Sequence, residues 1–193
     1  MLMDDKTLIK KILYGDRSAI SLLVENNKNL VWHIIISMVG HTSDCEDLFQ
    51  EVFLQVFKGL KRFRADARLS TWVGSIAHHV CVDYIRKKKK ESDFQNRDTN
   101  DELAINFLPD MNWKQAERED LNRVVLIAIN KLPATYRTPI ILYHLDECSY
   151  REIADITGMP DGTIKSYISR GRNLLREILI KLVPDIVGIL DDL

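Results

Sequence analysis

The amino-acid sequence predicts an all-α fold of two small helical domains joined by an acidic flexible linker. Apolar residues recur every four positions in two series between residues 48 and 57, which gives one broad stripe on a helix. A second helical stripe covers residues 73–84, and residues 149–180 have the pattern of a helix-turn-helix. Between them, residues 91–120 carry nine acids against three bases and few apolar side chains, so this segment cannot form its own core.

Length and composition limit the possible classes of protein. With 193 residues and 46% hydrophobic content, the chain is long enough for one or two real cores. No run approaches the roughly 20 apolar residues that cross a bilayer, so we expect no membrane insertion. The N-terminus is acidic before it is basic and does not resemble a signal peptide, and Cys45, Cys81 and Cys148 are too scattered for a disulfide framework. These features predict a cytoplasmic protein.

The N-terminal part of the sequence predicts helices of opposite charge. Residues 1–40 predict two or three short helices, with Asp16 as a cap, packed against the 48–57 stripe. Ser43 and Glu46 have capping-box spacing, which predicts a helix start at Ser43. Residues 41–57 carry a charge of −4, whereas residues 58–90 carry +8. An acidic helix followed by a basic one indicates two different partners.

The basic segment predicts a DNA surface. A loop over residues 64–68 precedes a helix that Ser70 or Thr71 is expected to cap, and this helix runs into Arg86 and four lysines. Such a tail is, on its own, equally typical of a solvated helix end. Together with Phe63, Trp72 and the loop arginines, it favours contact with phosphates and unstacked bases.

The C-terminal part predicts a helix pair of DNA-binding type. Pro133 is well placed at a helix start, while Pro139 predicts a kink or a helix that begins near it. Ser149 and Glu152 form a second predicted capping box, residues 158–161 supply a turn, and residues 162–180 form the expected recognition helix.

Enzyme and metal chemistry are not indicated. Adjacent His78 and His79 point about 100° apart on a helix, and no paired CxxC supports them as metal ligands. The sequence contains no Gly-rich phosphate loop, GxSxG or HExxH motif. We therefore expect no catalytic residues, no metal, no cofactor and no small-molecule substrate.

Two segments resemble a known family. The stretch "DCEDLFQEVFLQVF" with "FRADARLSTWVGSIAHHVCVDYIRKKKK" is similar to the second conserved region of the extracytoplasmic-function RNA polymerase sigma factors. The stretch "LPATYRTPIILYHLDECSYREIADITGMPDGTIKSYISRGRNLLREIL" resembles their fourth conserved region. The resemblance implies an alternative sigma factor that binds bacterial core RNA polymerase, directs initiation at specific promoters and is held by an anti-sigma factor.

The resemblance also implies roles for individual residues. Docking on core polymerase would involve Asp44, Asp47, Leu48, Gln50, Glu51 and Leu54. The minus-ten promoter element would meet Phe63, Arg64, Arg68, Thr71, Trp72, His79, Asp83, Arg86 and Lys87. The minus-thirty-five element would meet Arg151, Thr163, Lys165, Ser166, Tyr167, Ser169, Arg170 and Arg172. His79 replaces an asparagine and Tyr167 an arginine common in relatives, so base preference at these two positions stays open.

The same resemblance implies how the chain divides into domains. A region 2 domain spans residues 1–92, the linker 93–118, a region 4 domain 119–183, and a short tail of unknown role 184–193.

The alternative functions are an autonomous helix-turn-helix repressor or activator, which would need a dimerisation surface, and a nucleic-acid-processing enzyme, which would need a catalytic cluster. The sequence shows no dedicated helix for the first and no candidate cluster for the second.

Overall fold

A computed structural model describes residues 4–95 and 118–183, and within these ranges it contains helices and no strand. The α-helices are α1 (Asp5–Leu13), α2 (Arg17–Val39), α3 (Cys45–Gly59), α4 (Leu69–Gln95), α5 (Arg118–Asn130), α6 (Ala134–His144), α7 (Tyr150–Thr157) and α8 (Asp161–Leu182), with a 3-10 helix at Leu60–Arg62. The prediction of an all-α fold is confirmed.

Helices α1 to α4, here called the N-terminal module, surround one apolar core. The stripe of α3 turns inward, with Val52 and Val56 fully buried, and meets Val73 and Ala77 of α4 and the long helix α2. Asp16 caps α2 as predicted, because its carboxylate accepts the backbone N–H groups of Ser18 and Ala19. The core explains why this segment forms amphipathic helices: each one buries its apolar face against the others.

Two predicted helix starts are wrong. Helix α3 begins at Cys45, with Asp44 at its N-cap and no side-chain cap hydrogen bond. The Ser43 hydroxyl instead lies 3.4 Å from the Asp44 carboxylate, to which it donates. Helix α4 begins at Leu69, before either Ser70 or Thr71. Its first N–H is satisfied from outside the segment, by the carboxylate of Asp5 in α1 (3.1 Å).

Helices α5 to α8, here called the C-terminal module, contain the predicted helix-turn-helix. Pro133 is the N-cap of α6, and Pro139 lies inside that helix, so the alternative of a helix start near Pro139 is wrong. The capping box of Ser149 and Glu152 is confirmed at the start of α7. Gly158 then ends α7 with a left-handed φ of 72°, a conformation that glycine adopts without the steric cost of a Cβ.

The two modules pack directly against each other. Helix α6 lies against α2 and α7 lies against α4, and buried residues of both modules form one continuous apolar cluster. Helix α4 extends to Gln95, inside the segment predicted as linker. The rest of that segment up to residue 117 and the 184–193 tail lie outside the described residues. Within the described residues, no helix is both long and apolar enough to span a membrane.

Candidate functional site

Helix α3 presents a polar and acidic face to solvent. Asp47, Gln50, Glu51 and Leu54 are all exposed, at spacings of three and four residues that place them on one side of the helix. Leu54 is 53% exposed and is the large apolar side chain among these polar neighbours. Leu48, which we expected on this face, is only 8% exposed and packs in the core.

Asp44 is engaged within the molecule. Its carboxylate accepts a hydrogen bond from the Tyr84 hydroxyl and forms an ion pair with Lys88 (Nζ to Oδ2, 2.9 Å), both from α4. These donors, Tyr84 first, lower the pKa of Asp44 below its usual value. The triad of Asp44, Tyr84 and Lys88 therefore ties the start of α3 to the basic end of α4. No spacing pattern in the sequence predicts this tie, because Asp44 and Tyr84 are 40 positions apart.

The loop before α4 is anchored by an aromatic pair. Phe63 and Trp72 are both half-buried, with ring centroids 5.2 Å apart. Arg64 and Arg68 are exposed, and Ala65 between them has a φ of 58°, which costs an alanine roughly 1–2 kcal/mol. Thr71, at the start of the helix, is only 4% exposed. The aromatic pair holds a strained turn that displays two arginines.

Helix α4 carries the predicted nucleic-acid face. His79, Asp83, Arg86 and Lys87 are exposed, and residues 86–90 give an unbroken run of five cations. His79 Nδ1 lies 2.6 Å from the Ser75 carbonyl, so in the neutral ring Nδ1–H donates to it and Nε2 remains the acceptor. Asp83 forms an ion pair with Arg86 (3.4 Å), at the edge of this face.

Helix α8 displays the residues predicted to read DNA. Lys165, Ser169 and Arg170 are exposed, as is Arg151 on α7, whereas Thr163, Ser166 and Tyr167 are half-buried. The Tyr167 ring packs edge-on against Tyr136 of α6, with centroids 5.6 Å apart. Arg172 is held by α6: its Nε donates to His144 Nε2 (3.2 Å), and its guanidinium lies over Tyr143. The exposed cations lie near the start of α8, where a recognition helix meets the major groove.

No ligand cluster for a metal forms in the part of the chain that the structure describes. Burial raises the pKa of the Cys81 and Cys148 thiols to about 12, which keeps them protonated. The described surface instead presents an acidic face on α3 and exposed cations on α4 and α8, which suit contacts with macromolecules.

Comparison with models of protein families identifies the two segments that the sequence analysis found similar to conserved regions of sigma factors. The model of sigma-70 region 2 matches residues 23–91, and the model of sigma-70 region 4 matches residues 123–175. The first match covers α3 and the exposed face of α4, and the second covers the helix-turn-helix.

Whole-chain comparisons extend this result. The chain is 33% identical to the ECF RNA polymerase sigma factor SigW of Bacillus subtilis, over 90% of this chain and 96% of that protein. It is 29% identical to the ECF RNA polymerase sigma-E factor of Haemophilus influenzae, over 90% and 94% of the two chains. The fold is similar to the sigma factor RpoE solved with the anti-sigma factor NepR from Bartonella quintana, with a TM-score of 0.67, 24% identity, and 82% and 95% coverage of the two chains. The chain belongs to the extracytoplasmic-function family of RNA polymerase sigma factors.

Proposed function

We propose that this protein is an alternative sigma factor that docks on core RNA polymerase through α3 and reads promoter DNA through α4 and α8. The observation that carries the proposal is the contrast between two exposed faces of the N-terminal module. Helix α3 displays Asp47, Glu51 and Leu54, whereas α4 ends in five consecutive cations. Acids repel DNA phosphates and cations attract them, so the two faces suit different partners.

The docking face has the composition of a protein interface. Leu54 is the apolar anchor, and Asp47, Gln50 and Glu51 surround it with charge and hydrogen-bonding capacity. The acids favour a basic surface on the polymerase, which speeds encounter and fixes orientation. Asp44 acts from behind this face, because its bonds to Tyr84 and Lys88 fix the start of α3 against α4.

The minus-ten element would meet the loop and the exposed side of α4. Arg64, Arg68, Arg86 and Lys87 supply cations for phosphates. His79 presents Nε2 as an acceptor when neutral, and Asp83 lies one turn further along the helix. Phe63 and Trp72, which are half-buried, contribute by holding the loop and as aromatic surface for an unstacked base.

The minus-thirty-five element would meet the start of α8. Lys165, Ser169 and Arg170 are the direct candidates, and Arg151 reaches the same side from α7. Tyr167 and Arg172 are packed against α6, so they would act mainly by positioning the helix or by touching the backbone of the DNA.

The domain division, compartment and regulation complete the proposal. We assign residues 1–92 to polymerase docking and minus-ten recognition, 93–118 to a linker, 119–183 to minus-thirty-five recognition and 184–193 to a tail. As a transcription initiation factor without enzymatic activity of its own, the chain would act in the cytoplasm, with the polymerase. Anti-sigma control is supported by the RpoE neighbour, which was solved bound to an anti-sigma factor.

Co-elution with purified core polymerase tests the docking face. We expect the wild-type chain to co-elute and an Asp47→Ala, Gln50→Ala double variant to lose most binding while its helical content is unchanged. A Ser21→Ala, Glu25→Ala variant, with two exposed positions on α2, is the matched control and should bind normally. Equal binding by the wild type and the α3 variant would move the docking site elsewhere, and no binding by the wild type would favour an autonomous DNA-binding regulator.

A further inference from the structure

Asp44 occupies the N-cap position of α3 but does not cap the helix. An aspartate at an N-cap normally has an extended backbone, and its side chain accepts a backbone N–H of the first turn. Asp44 instead has a φ of −84° and a ψ of −5°, which is a helical conformation, and makes no such hydrogen bond. Its carboxylate contacts α4, where it accepts the Tyr84 hydroxyl and pairs with Lys88. The first turn of α3 is therefore held by side chains of α4 rather than by a local cap.

Lys88 lies on the side of α4 that faces α3. It follows Tyr84 by four residues and Val80 by eight, and Val80 is buried in the core. Lys87 follows Asp83 by four residues, on the exposed side that is predicted to meet DNA. Since successive residues are about 100° apart on a helix, the two lysines project in different directions. The run of cations at the end of α4 is thus divided between two faces.

Lys88 makes two contacts within the molecule. Its Nζ lies 2.9 Å from Asp44 Oδ2 and 5.1 Å from the centre of the Tyr84 ring. The hydroxyl of Tyr84 and then the carboxylate of Asp44 raise the pKa of Lys88, so that the ammonium group stays charged. Binding a DNA phosphate would require Lys88 to give up both contacts, which disfavours a role in DNA binding.

The turn that is held in this way begins the docking face. Asp47 follows Asp44 by three residues and Glu51 follows it by seven, and both of these acids are exposed. Complementary charges at an interface fix the orientation of the partner. If the start of α3 moved relative to α4, these acids would take several arrangements, of which only some match the polymerase. The apparent affinity would then fall in proportion to the matching fraction.

We propose that Tyr84 and Lys88 are positioning residues of the docking face that act through Asp44, and that Lys88 serves polymerase binding although it stands among cations that serve DNA binding. This inference rests on the proposed function. It divides two adjacent lysines by role. Lys87 contacts DNA, whereas Lys88 keeps the first turn of α3 in the arrangement that the polymerase recognises.

Two measurements on the full chain separate these roles. Fluorescence anisotropy gives the affinity for purified core polymerase. The salt dependence with which the polymerase complex binds a DNA duplex of arbitrary sequence with a single-stranded overhang counts the phosphate contacts. Far-UV circular dichroism of each variant checks that its helical content is unchanged.

The expected results differ between the two lysines. Lys88→Gln and Tyr84→Phe should weaken polymerase binding about three- to fivefold, the effect of losing one exposed ion pair or hydrogen bond, and Lys88→Arg should retain most of the affinity. Lys87→Gln should instead lower the slope of the salt dependence by about 0.9. The matched control is Lys28→Gln, which removes an exposed cation from α2 and should change neither quantity.

A double-mutant cycle with Asp44→Asn tests whether Lys88 acts through Asp44. We expect Lys88→Gln to cause no further loss of polymerase affinity once Asp44 is replaced. The inference is overturned if the two losses add, because Lys88 would then contact the polymerase directly. It is also overturned if Lys88→Gln leaves polymerase affinity unchanged while the wild type binds. If the wild type does not bind polymerase, the proposed function fails and this inference fails with it.

Discussion

Arg137 offers the sharpest stability test, because a single buried cation joins three parts of the structure. It is 6% exposed, and its guanidinium donates to the carbonyls of Asn130 and Leu132 at distances of 2.7–3.1 Å. A longer contact of 3.4 Å reaches the Ser37 carbonyl on α2. Two of these carbonyls lie at or just beyond the end of α5, where a positive charge is also favoured by the helix dipole.

The expected cost of Arg137→Ala follows from these bonds. Each hydrogen bond from a charged donor contributes about 1.5–3 kcal/mol, and removing the donor leaves buried carbonyls without their partner. Allowing for non-additivity, the substitution should lower the free energy of unfolding by about 3–5 kcal/mol. With a urea m-value of about 2 kcal/mol/M, the midpoint should fall by about 2 M. Arg137→Lys retains the charge but has no planar fork, so it should lose about half as much.

Urea unfolding followed by far-UV circular dichroism measures these changes. Arg151→Ala is the matched control: the same side chain is removed from an exposed position on α7, and stability should stay within about 0.5 kcal/mol of the wild type. If Arg137→Ala costs less than about 1 kcal/mol, the guanidinium does not hold these carbonyls and the reasoning is wrong.

Three further predictions concern the surfaces and the turn. Leu54→Ala should weaken binding to core polymerase about tenfold or more, measured by fluorescence anisotropy, with little change in stability because the side chain is exposed. Gly158→Ala should lower the unfolding free energy by about 1–2 kcal/mol, since φ is 72°, whereas Gly162→Ala should not destabilise the protein. Tyr84→Phe should raise the pKa of Asp44 toward its ordinary value, measured by NMR titration of the carboxyl carbon, because the phenol is the leading cause of its depression.

Each of these has an outcome that would contradict it. Unchanged polymerase affinity in Leu54→Ala would remove the apolar anchor from the docking face. Equal stability of the Gly158 and Gly162 variants would show that the turn relaxes. An unchanged pKa of Asp44 in Tyr84→Phe would refute the tie between α3 and α4. The direction of the pH dependence follows from the lowered pKa of Asp44 in the folded protein. The carboxylate contributes to stability at pH values above its unfolded pKa near 3.8, and this contribution is lost as the pH falls through its lower folded pKa.

Local patterns in the sequence predicted those features that depend on neighbouring residues. The apolar stripes, the Asp16 cap, the capping box at Ser149 and the glycine turn all involve residues within about four positions of each other. The same local rule failed at Ser43, whose hydroxyl donates to the neighbouring Asp44 carboxylate instead of capping the helix. Spacing predicts that a cap is available, but competing groups nearby decide whether it is used.

The periodicity of the sequence could not predict contacts between distant segments. Asp5 caps α4 from 64 positions away, and Asp44 meets Tyr84 from 40 positions away. The contact between the two modules involves Gly74 and Ile156, which the sequence presents as an ordinary helix glycine and a core isoleucine. Charge patterning located the candidate surfaces, whereas the burial of Leu48 and Thr71 needed the packed structure.

The most direct test of promoter recognition by this chain is transcription, with core polymerase, from a template library with a randomised upstream region. We expect transcripts whose templates share two short sequence blocks at a constant spacing, one read by α4 and one by α8. An Arg170→Ala variant should relax selection in the upstream block alone. Transcription no greater than with core polymerase alone, or start sites without shared blocks, would show that this chain does not direct promoter-specific initiation.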